Sequence, residues 1–267
     1  MTRGFFIDVQ GTLIDDINKE PIKGSREFIS YLNKNNIPYV VITNNTKEKS
    51  DKFLESLKEK GFDIKNYIDP FYILRETVKS KKIAAFGTDK FLEVLKELGY
   101  ELDFETFETL IVSIREDYTN EDYAQMIECA YKAKNLIAMH ETSTYSKNGK
   151  RYPGVGAIMS MIKFAVNKEY KVVGKPSFNF YNKAREIISC EFKDITVISD
   201  DMIGDLLGAQ KLDMNTCLVL SGKVKNRNEV LDTLGKEELP NNICKDMDEV
   251  IKLFREGKIW MKLVYKS

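Results

Sequence analysis

Short apolar runs alternate with amphipathic, helix-spaced segments along nearly the whole chain, and that alternation restricts the chain to one broad architecture. Gly4 to Ile7, Pro38 to Ile42, Lys82 to Gly87, Thr109 to Ser113, Leu136 to Met139, Lys171 to Val173, Ile195 to Ser199 and Asn215 to Leu220 read as strands. Between them, 25–33, 47–60, 89–98, 120–134, 154–165, 179–189, 202–211 and 247–256 carry helical spacing, with Gly61 and Gly99 as stops. Strands joined through helices pair in parallel and are covered on both faces. The expectation is therefore an α/β fold with a mostly parallel sheet flanked by helices.

With 267 residues the chain has room for one large or two modest domains and a substantial core. Lys+Arg and Asp+Glu both number 41, so no global basic field recruits nucleic acid or an anionic membrane. No stretch approaches the roughly 18 apolar residues of a membrane span. The opening Met-Thr-Arg-Gly-Phe-Phe-Ile-Asp meets an acid too early for a signal peptide. A cytoplasmic protein is expected. Cys129, Cys190, Cys217 and Cys244 are widely spaced and form no CxxC pair, so they read as buried free thiols. His140 is the only histidine, which excludes a His-rich metal site.

Four strands end in a polar residue. Asp8 follows Phe6-Ile7, Thr43 follows Val40-Val41-Ile42, Lys175 follows Val172-Val173-Gly174, and Asp200 follows Val197-Ile198-Ser199. In one parallel sheet all four would lie on the ligand-binding edge. Asp8 and Asp200 then offer carboxylates to a hard cation, and Mg²⁺ suits one or two carboxylates with phosphate and water. Thr43 offers a hydroxyl, and Asn44 an amide at an expected helix N-terminus. Lys175 offers a point charge. Asp205 would reach the same ion through water or hold its ligands. Each residue also has a plainer use: Asp8 as the cap of the next turn, Thr43 and Asn44 as helix caps, Lys175 as a turn lysine, and Asp200-Asp201 as a helix start.

These segments resemble the haloacid dehalogenase (HAD) phosphohydrolases over nearly the full length. The resemblance rests on Asp8-Val9-Gln10-Gly11-Thr12, Val40 to Asn45, Gly174-Lys175-Pro176-Ser177 and Ser199-Asp200-Asp201-Met202-Ile203-Gly204-Asp205. Thr43-Asn44-Asn45-Thr46, Val172 to Ser177 and Leu218 to Gly222 are similar to the NagD-type branch, which includes sugar-phosphate, nucleotide and 4-nitrophenyl phosphatases. The resemblance implies a Rossmann-like parallel-sheet core, residues 1–81 and 171–267, with a large inserted αβ cap domain, 82–170.

It further implies that Asp8 is the nucleophile and forms an aspartyl-phosphate. Mg²⁺ would be held by Asp8, the backbone carbonyl of Gln10, Asp200 and waters, with Asp205 behind them. Thr43, Asn44 and Lys175 would bind the phosphoryl group. Gln10 departs from the family pattern, which places an acid–base Asp there. A glutamine amide exchanges no proton at neutral pH, and general acid–base catalysis is worth roughly 10² to 10⁴ in rate. The expected function is thus a slow Mg²⁺-dependent phosphatase of small phosphate monoesters, of the sugar-phosphate or nucleotide class. A phosphate-binding pseudoenzyme and a phosphotransferase are the alternatives. Asp15 and Asp16 are weak candidates for the missing acid. In the cap, His140, Glu141 and Tyr145 are candidate specificity residues. A homodimer is compatible with the resemblance, which implies neither a nucleic-acid nor a membrane partner.

Overall fold

A computed structural model describes residues 3–147, 150–231 and 233–259. Thirteen strands are present among these residues: β1 (Gly4–Asp8), β2 (Tyr39–Ile42), β3 (Tyr67–Ile68), β4 (Lys82–Phe86), β5 (Glu101–Leu102), β6 (Thr109–Val112), β7 (Asn135–Ala138), β8 (Thr144–Lys147), β9 (Lys150–Pro153), β10 (Lys171–Val172), β11 (Ile195–Ser199), β12 (Asn215–Val219) and β13 (Asn242–Cys244). They form two parallel sheets and one antiparallel hairpin, β8–β9.

The chain divides into two compact units, Met1–Thr43 with Phe53–Ile68 and Tyr181–Ser267, and Asn44–Lys52 with Asp69–Phe180. The first holds a six-stranded sheet in the order β13-β12-β11-β1-β2-β3. The order runs outward from β1 in both directions, so the strand sequence reverses between β1 and β11. Crevices at such a reversal, beyond the carboxyl ends of the strands, are where open α/β sheets bind ligands. Every residue of β1, β2 and β11 is buried, as a parallel sheet with both faces covered requires. On one side of this sheet Phe5, Ile7, Val41 and Val219 pack with Phe28, Leu32, Leu57 and Val250 from the helices Ser25–Lys34, Ser50–Glu59 and Met247–Arg255.

The second unit holds a five-stranded sheet, β10-β7-β6-β4-β5. Its core joins Ala84, Leu110, Val112 and Leu136 to Met126, Ile158, Met159 and Ile162 of the helices Asn120–Lys132 and Val155–Val166. The expected insert, 82–170, falls inside this unit, which extends beyond it at both ends.

The structure corrects three expectations. The run Lys171 to Val173 was expected to share a sheet with Asp8. Instead β10 pairs with β7, Lys171 opposite Ile137 and Val172 opposite Ala138, so Lys175 follows a strand of the second sheet. A run this short carries no mark of its partner, because pairing is decided by tertiary packing. Secondly, the helix expected from residue 47 starts at Ser50. Asn45 keeps the preceding turn open: its Oδ1 accepts the Lys47 N–H and its amide donates to the Glu48 carbonyl. Asn44 therefore lies in irregular chain, not at a helix N-terminus. Thirdly, the helix expected from Met202 begins as a π-helical turn, Met202–Leu206, before the α-turn Leu207–Gln210.

The helix Pro70–Thr77 was not expected. Its signal is in the sequence, where Asp69 caps the Phe71 N–H at 3.0 Å and Pro70 opens the first turn. All four cysteines are free and buried. No helix among the described residues is long and apolar enough to cross a membrane.

Candidate active site

The middle of the six-stranded sheet positions the first unit's site. Ile7 pairs with Ile198 of β11, and Asp8 pairs with Ile42 of β2. Thr43 and Asp200 stand one and two residues beyond those partners, so the parallel register puts both beside Asp8. All three are buried: Asp8 is 5% exposed, Asp200 2% and Thr43 0%. Buried carboxylates at this depth are rare unless something compensates them.

Part of that compensation is visible. Thr12 Oγ1 donates to Asp8 Oδ2 at 3.5 Å and accepts the Asp200 N–H at 3.2 Å, joining the two strand ends. Asp200 Oδ2 accepts the Lys223 N–H at 2.5 Å. Two glycines let backbone reach the same carboxylate. Gly11, with φ +74°, would bring a Cβ within 2.2 Å of Asp200 Oδ2, and Gly222 within 1.9 Å. The turn 221–223 is tied down by Ser221 Oγ, which donates to the Gly11 carbonyl at 2.6 Å. Even so, burial pushes the Asp200 carboxyl well above the ordinary carboxylate range, and the charge of Asp8 adds to that push. A divalent cation would offset both effects. Among the described residues no group of three or more His, Cys, Asp or Glu side chains could hold a metal. The donors at this edge are two carboxylates, a set that fits an oxygen-coordinated ion keeping waters.

Asp205 is buried but its functional groups are occupied. Ser199 Oγ donates to Asp205 Oδ2 at 2.7 Å, and the Tyr181 hydroxyl donates to the Asp205 carbonyl at 3.0 Å. Ser199 Oγ in turn accepts the Asp201 N–H at 3.0 Å. Asp205 thus braces the turn that carries Asp200. Gln10 faces Thr43, whose hydroxyl donates to Gln10 Oε1 at 3.1 Å. That leaves the Gln10 NH₂ as a donor and provides no base.

Asp15 is engaged by its own turn. Its carboxylate accepts the N–H groups of Ile17, Asn18 and Glu20 at 2.9, 2.7 and 2.8 Å. Those bonds, the one from Asn18 foremost, hold its pKa below the ordinary value.

In the second unit Lys175 is 2% exposed. Asn44 Oδ1 accepts the Lys175 N–H at 2.8 Å, and Asn44 Nδ2 donates to the Lys175 carbonyl at 3.4 Å. The Asn44 side chain, expected on phosphate, is spent on the backbone of Lys175. The Glu141 N–H also donates to the Lys175 carbonyl, at 3.2 Å. His140 is buried beyond the end of β7. The Glu141 carboxylate accepts the Tyr170 hydroxyl at 2.9 Å, and Tyr145 stacks on Tyr152 across the β8–β9 hairpin, ring centroids 5.5 Å apart.

The sequence suggests no functional role for Thr12, Ser199, Ser221 or Lys223, and for Asp201 only a helix start, which its bond from the Gly204 N–H makes it. Thr12 had a signal, a hydroxyl right after the turn glycine. Ser199, Ser221 and Lys223 had none beyond lying next to strand ends.

Two family models match the chain, haloacid dehalogenase-like hydrolase over residues 5–101 and HAD-hydrolase-like over residues 172–250. The chain belongs to the haloacid dehalogenase-like hydrolases. An acid sugar phosphatase of Staphylococcus saprophyticus is 25% identical over 257 residues, 94% of this chain and 97% of that protein. Among solved structures, the p-nitrophenyl phosphatase from Archaeoglobus fulgidus superposes with a TM-score of 0.80 at 21% identity, covering 94% of this chain and 98% of its own. NagD from E. coli K-12 superposes with a TM-score of 0.74 at 19% identity, covering 93% and 98%. At 19–21% identity the likeness to these two structures is one of fold. The family's phosphatases use a divalent metal ion.

Proposed function

We propose that the protein is a slow Mg²⁺-dependent phosphatase of small phosphate monoesters, of the sugar-phosphate class, working through a phosphorylated Asp8. The observation that carries this reading is the set of adjacent strand ends β11-β1-β2, with Asp200, Asp8 and Thr43 buried side by side. The name of the staphylococcal relative supports a sugar phosphate as the substrate class.

In the first half-reaction an Asp8 carboxylate oxygen attacks phosphorus and the bond to the ester oxygen breaks. Thr43 and nearby backbone N–H groups orient the phosphoryl oxygens, and the family resemblance assigns Lys175 to neutralising phosphoryl charge. Asp8, Asp200 and the Gln10 carbonyl would hold Mg²⁺, which would supply electrostatic stabilisation to the transferring group. The departing oxygen takes its proton from solvent, because Gln10 has none to give. Water oriented by Gln10 then attacks phosphorus and loses its proton to solvent, and the Asp8–phosphorus bond breaks to release inorganic phosphate and the free carboxylate. We assign substrate choice to the second unit, with His140, Glu141 and Tyr145 as its candidate contacts.

The bond between Thr43 and Gln10 also favours a second reading. With no base at residue 10, a phosphorylated Asp8 would persist and pass its phosphoryl group to another acceptor. One experiment separates the two. Turnover of aryl and alkyl phosphates is compared in the native protein and in Gln10→Asp, while phosphorylated Asp8 is trapped by acid quench. The expected result is activity on aryl esters, little on alkyl esters, and a gain of about one to several decades on alkyl esters in Gln10→Asp. Equal native rates on both ester types with no gain in the variant would overturn this account of Gln10. A trapped phosphoryl group that outlasts substrate and leaves only on addition of an alcohol would establish the second reading.

A further inference from the structure

Asp200 and Asp201 are consecutive carboxylates at the end of β11, yet they are treated differently, and one residue handles both. The backbone N–H of Lys223 donates to Asp200 Oδ2 at 2.5 Å. Its ammonium forms an ion pair with Asp201 Oδ2. The other Asp201 oxygen, Oδ1, accepts the Gly204 N–H at 2.8 Å. Asp201 is held at its backbone as well, by the bond from its N–H to Ser199 Oγ. Gly204 has no room for a side chain, since a Cβ there would fall 2.4 Å from Asp201 Oδ2. Both oxygens of Asp201 are therefore occupied by the turns around it.

The Lys223 side chain is 43% exposed and that of Asp201 17%, so the pair is partly solvated, a setting in which ion pairs add little to stability. Its effect is to fix where a negative charge lies. Ion choice at an oxygen site depends on ligand number and charge. Mg²⁺ takes one or two carboxylates with waters, whereas Ca²⁺ takes six to eight oxygens and gains from each added carboxylate.

We propose that Lys223 is a positioning residue that sets ion selectivity: by holding Asp201, it limits the site to the carboxylates of Asp8 and Asp200, and so favours Mg²⁺ over Ca²⁺. This rests on the metal-binding part of the proposed function. Lys223→Met keeps the backbone bond to Asp200 and an apolar stem of similar length while freeing Asp201 Oδ2. Loss of the ammonium alone raises affinity for both ions, so the ratio of the two is the informative quantity.

The test is isothermal titration calorimetry of the full-length, metal-stripped protein with MgCl₂ and with CaCl₂. Four proteins are compared with the native one: Lys223→Met, Lys223→Arg, Asp200→Asn, and Lys223→Met combined with Asp201→Asn. In Lys223→Met the Ca²⁺/Mg²⁺ affinity ratio should rise by about tenfold, the scale on which ligand charge tunes calcium sites. Lys223→Arg should keep the native ratio. The double variant should return to it, because the released carboxylate is gone. An unchanged ratio in Lys223→Met, or a rise that survives Asp201→Asn, overturns the inference. If Mg²⁺ binds the native protein and is lost in Asp200→Asn, the metal site stands whatever Lys223 does. If the native protein binds neither ion, the metal reading fails and the inference fails with it.

Discussion

Gly222 tests how tightly the Asp200 carboxylate is enclosed. A Cβ there would lie 1.9 Å from Asp200 Oδ2 and 2.6 Å from the Gly11 Cα, whereas ordinary contact begins near 3.4 Å. Gly222→Ala must therefore open the gap to Asp200 by about 1.5 Å. Gly11 cannot give way cheaply: it sits at φ +74°, its N–H donates to the Ile14 carbonyl at 2.8 Å, and its carbonyl accepts Ser221 Oγ. The displacement falls on Asp200 or on the turn 221–223, and either stretches the bond from the Lys223 N–H. Overpacking of this kind costs about 1–3 kcal/mol. Moving a reacting or ligating group by about 1 Å lowers rate by roughly 100-fold. Gly222 has no left-handed φ, so alanine adds no backbone strain and the effect is steric. The assay pairs urea denaturation with turnover of an aryl phosphate at saturating Mg²⁺. Gly235→Ala is the control, because its Cβ would make only an ordinary 3.4 Å contact with Glu238 Oε2. Retention of kcat/KM within threefold, with stability within about 0.5 kcal/mol of native, would refute the enclosure argument.

Two further outcomes are expected. In the metal-free protein, folding stability should fall as pH rises from the ordinary carboxylate pKa of 3.8 toward the raised value of Asp200, because the folded chain retains a proton the unfolded chain has lost. Asp200→Asn should flatten that slope and raise metal-free stability at pH 7, read by thermal melts from pH 4 to 8. Asn44→Ala should lower stability by about 1–3 kcal/mol and reduce turnover, since the backbone N–H of buried Lys175 loses its 2.8 Å acceptor. Asn44→Asp keeps an acceptor oxygen and should recover part of both, measured by the same denaturation and turnover assays.

The strands that carry Asp8, Thr43 and Asp200 were legible because each is a continuous apolar run ended by a polar residue. In a parallel sheet covered on both faces that pattern has few other meanings. The elements that escaped reading were those in which apolar periodicity is short or absent. β3 and β5 have two residues each, and β8 and β9 are polar strands held by their antiparallel pairing and the Tyr145–Tyr152 stack. The Asp69-Pro70 start is a readable signal, but the helix behind it spans only eight residues and offers little periodicity.

Within the site, side chains at strand ends could be named from sequence, whereas what those side chains touch could not. Asn44 and Lys175 are 131 residues apart, and no local pattern announces that the amide of one holds the backbone of the other. Likewise, Lys223 reaches Asp201 across 22 positions. Strand pairing sets the second of these contacts. Once β12 lies beside β11 in register, with Ser199 opposite Leu218, the turn after β12 is carried to the end of β11, where Asp200 and Asp201 lie. The same logic explains Lys175. Its strand matched the polar-end pattern of the others, but β10 pairs with β7, so the lysine follows a strand of the second sheet. A strand's end can be read from its own residues; its neighbour is decided by residues far along the chain. For that reason the variants that distinguish the proposals here pair residues distant in sequence, Lys223 with Asp201 and Asn44 with Lys175.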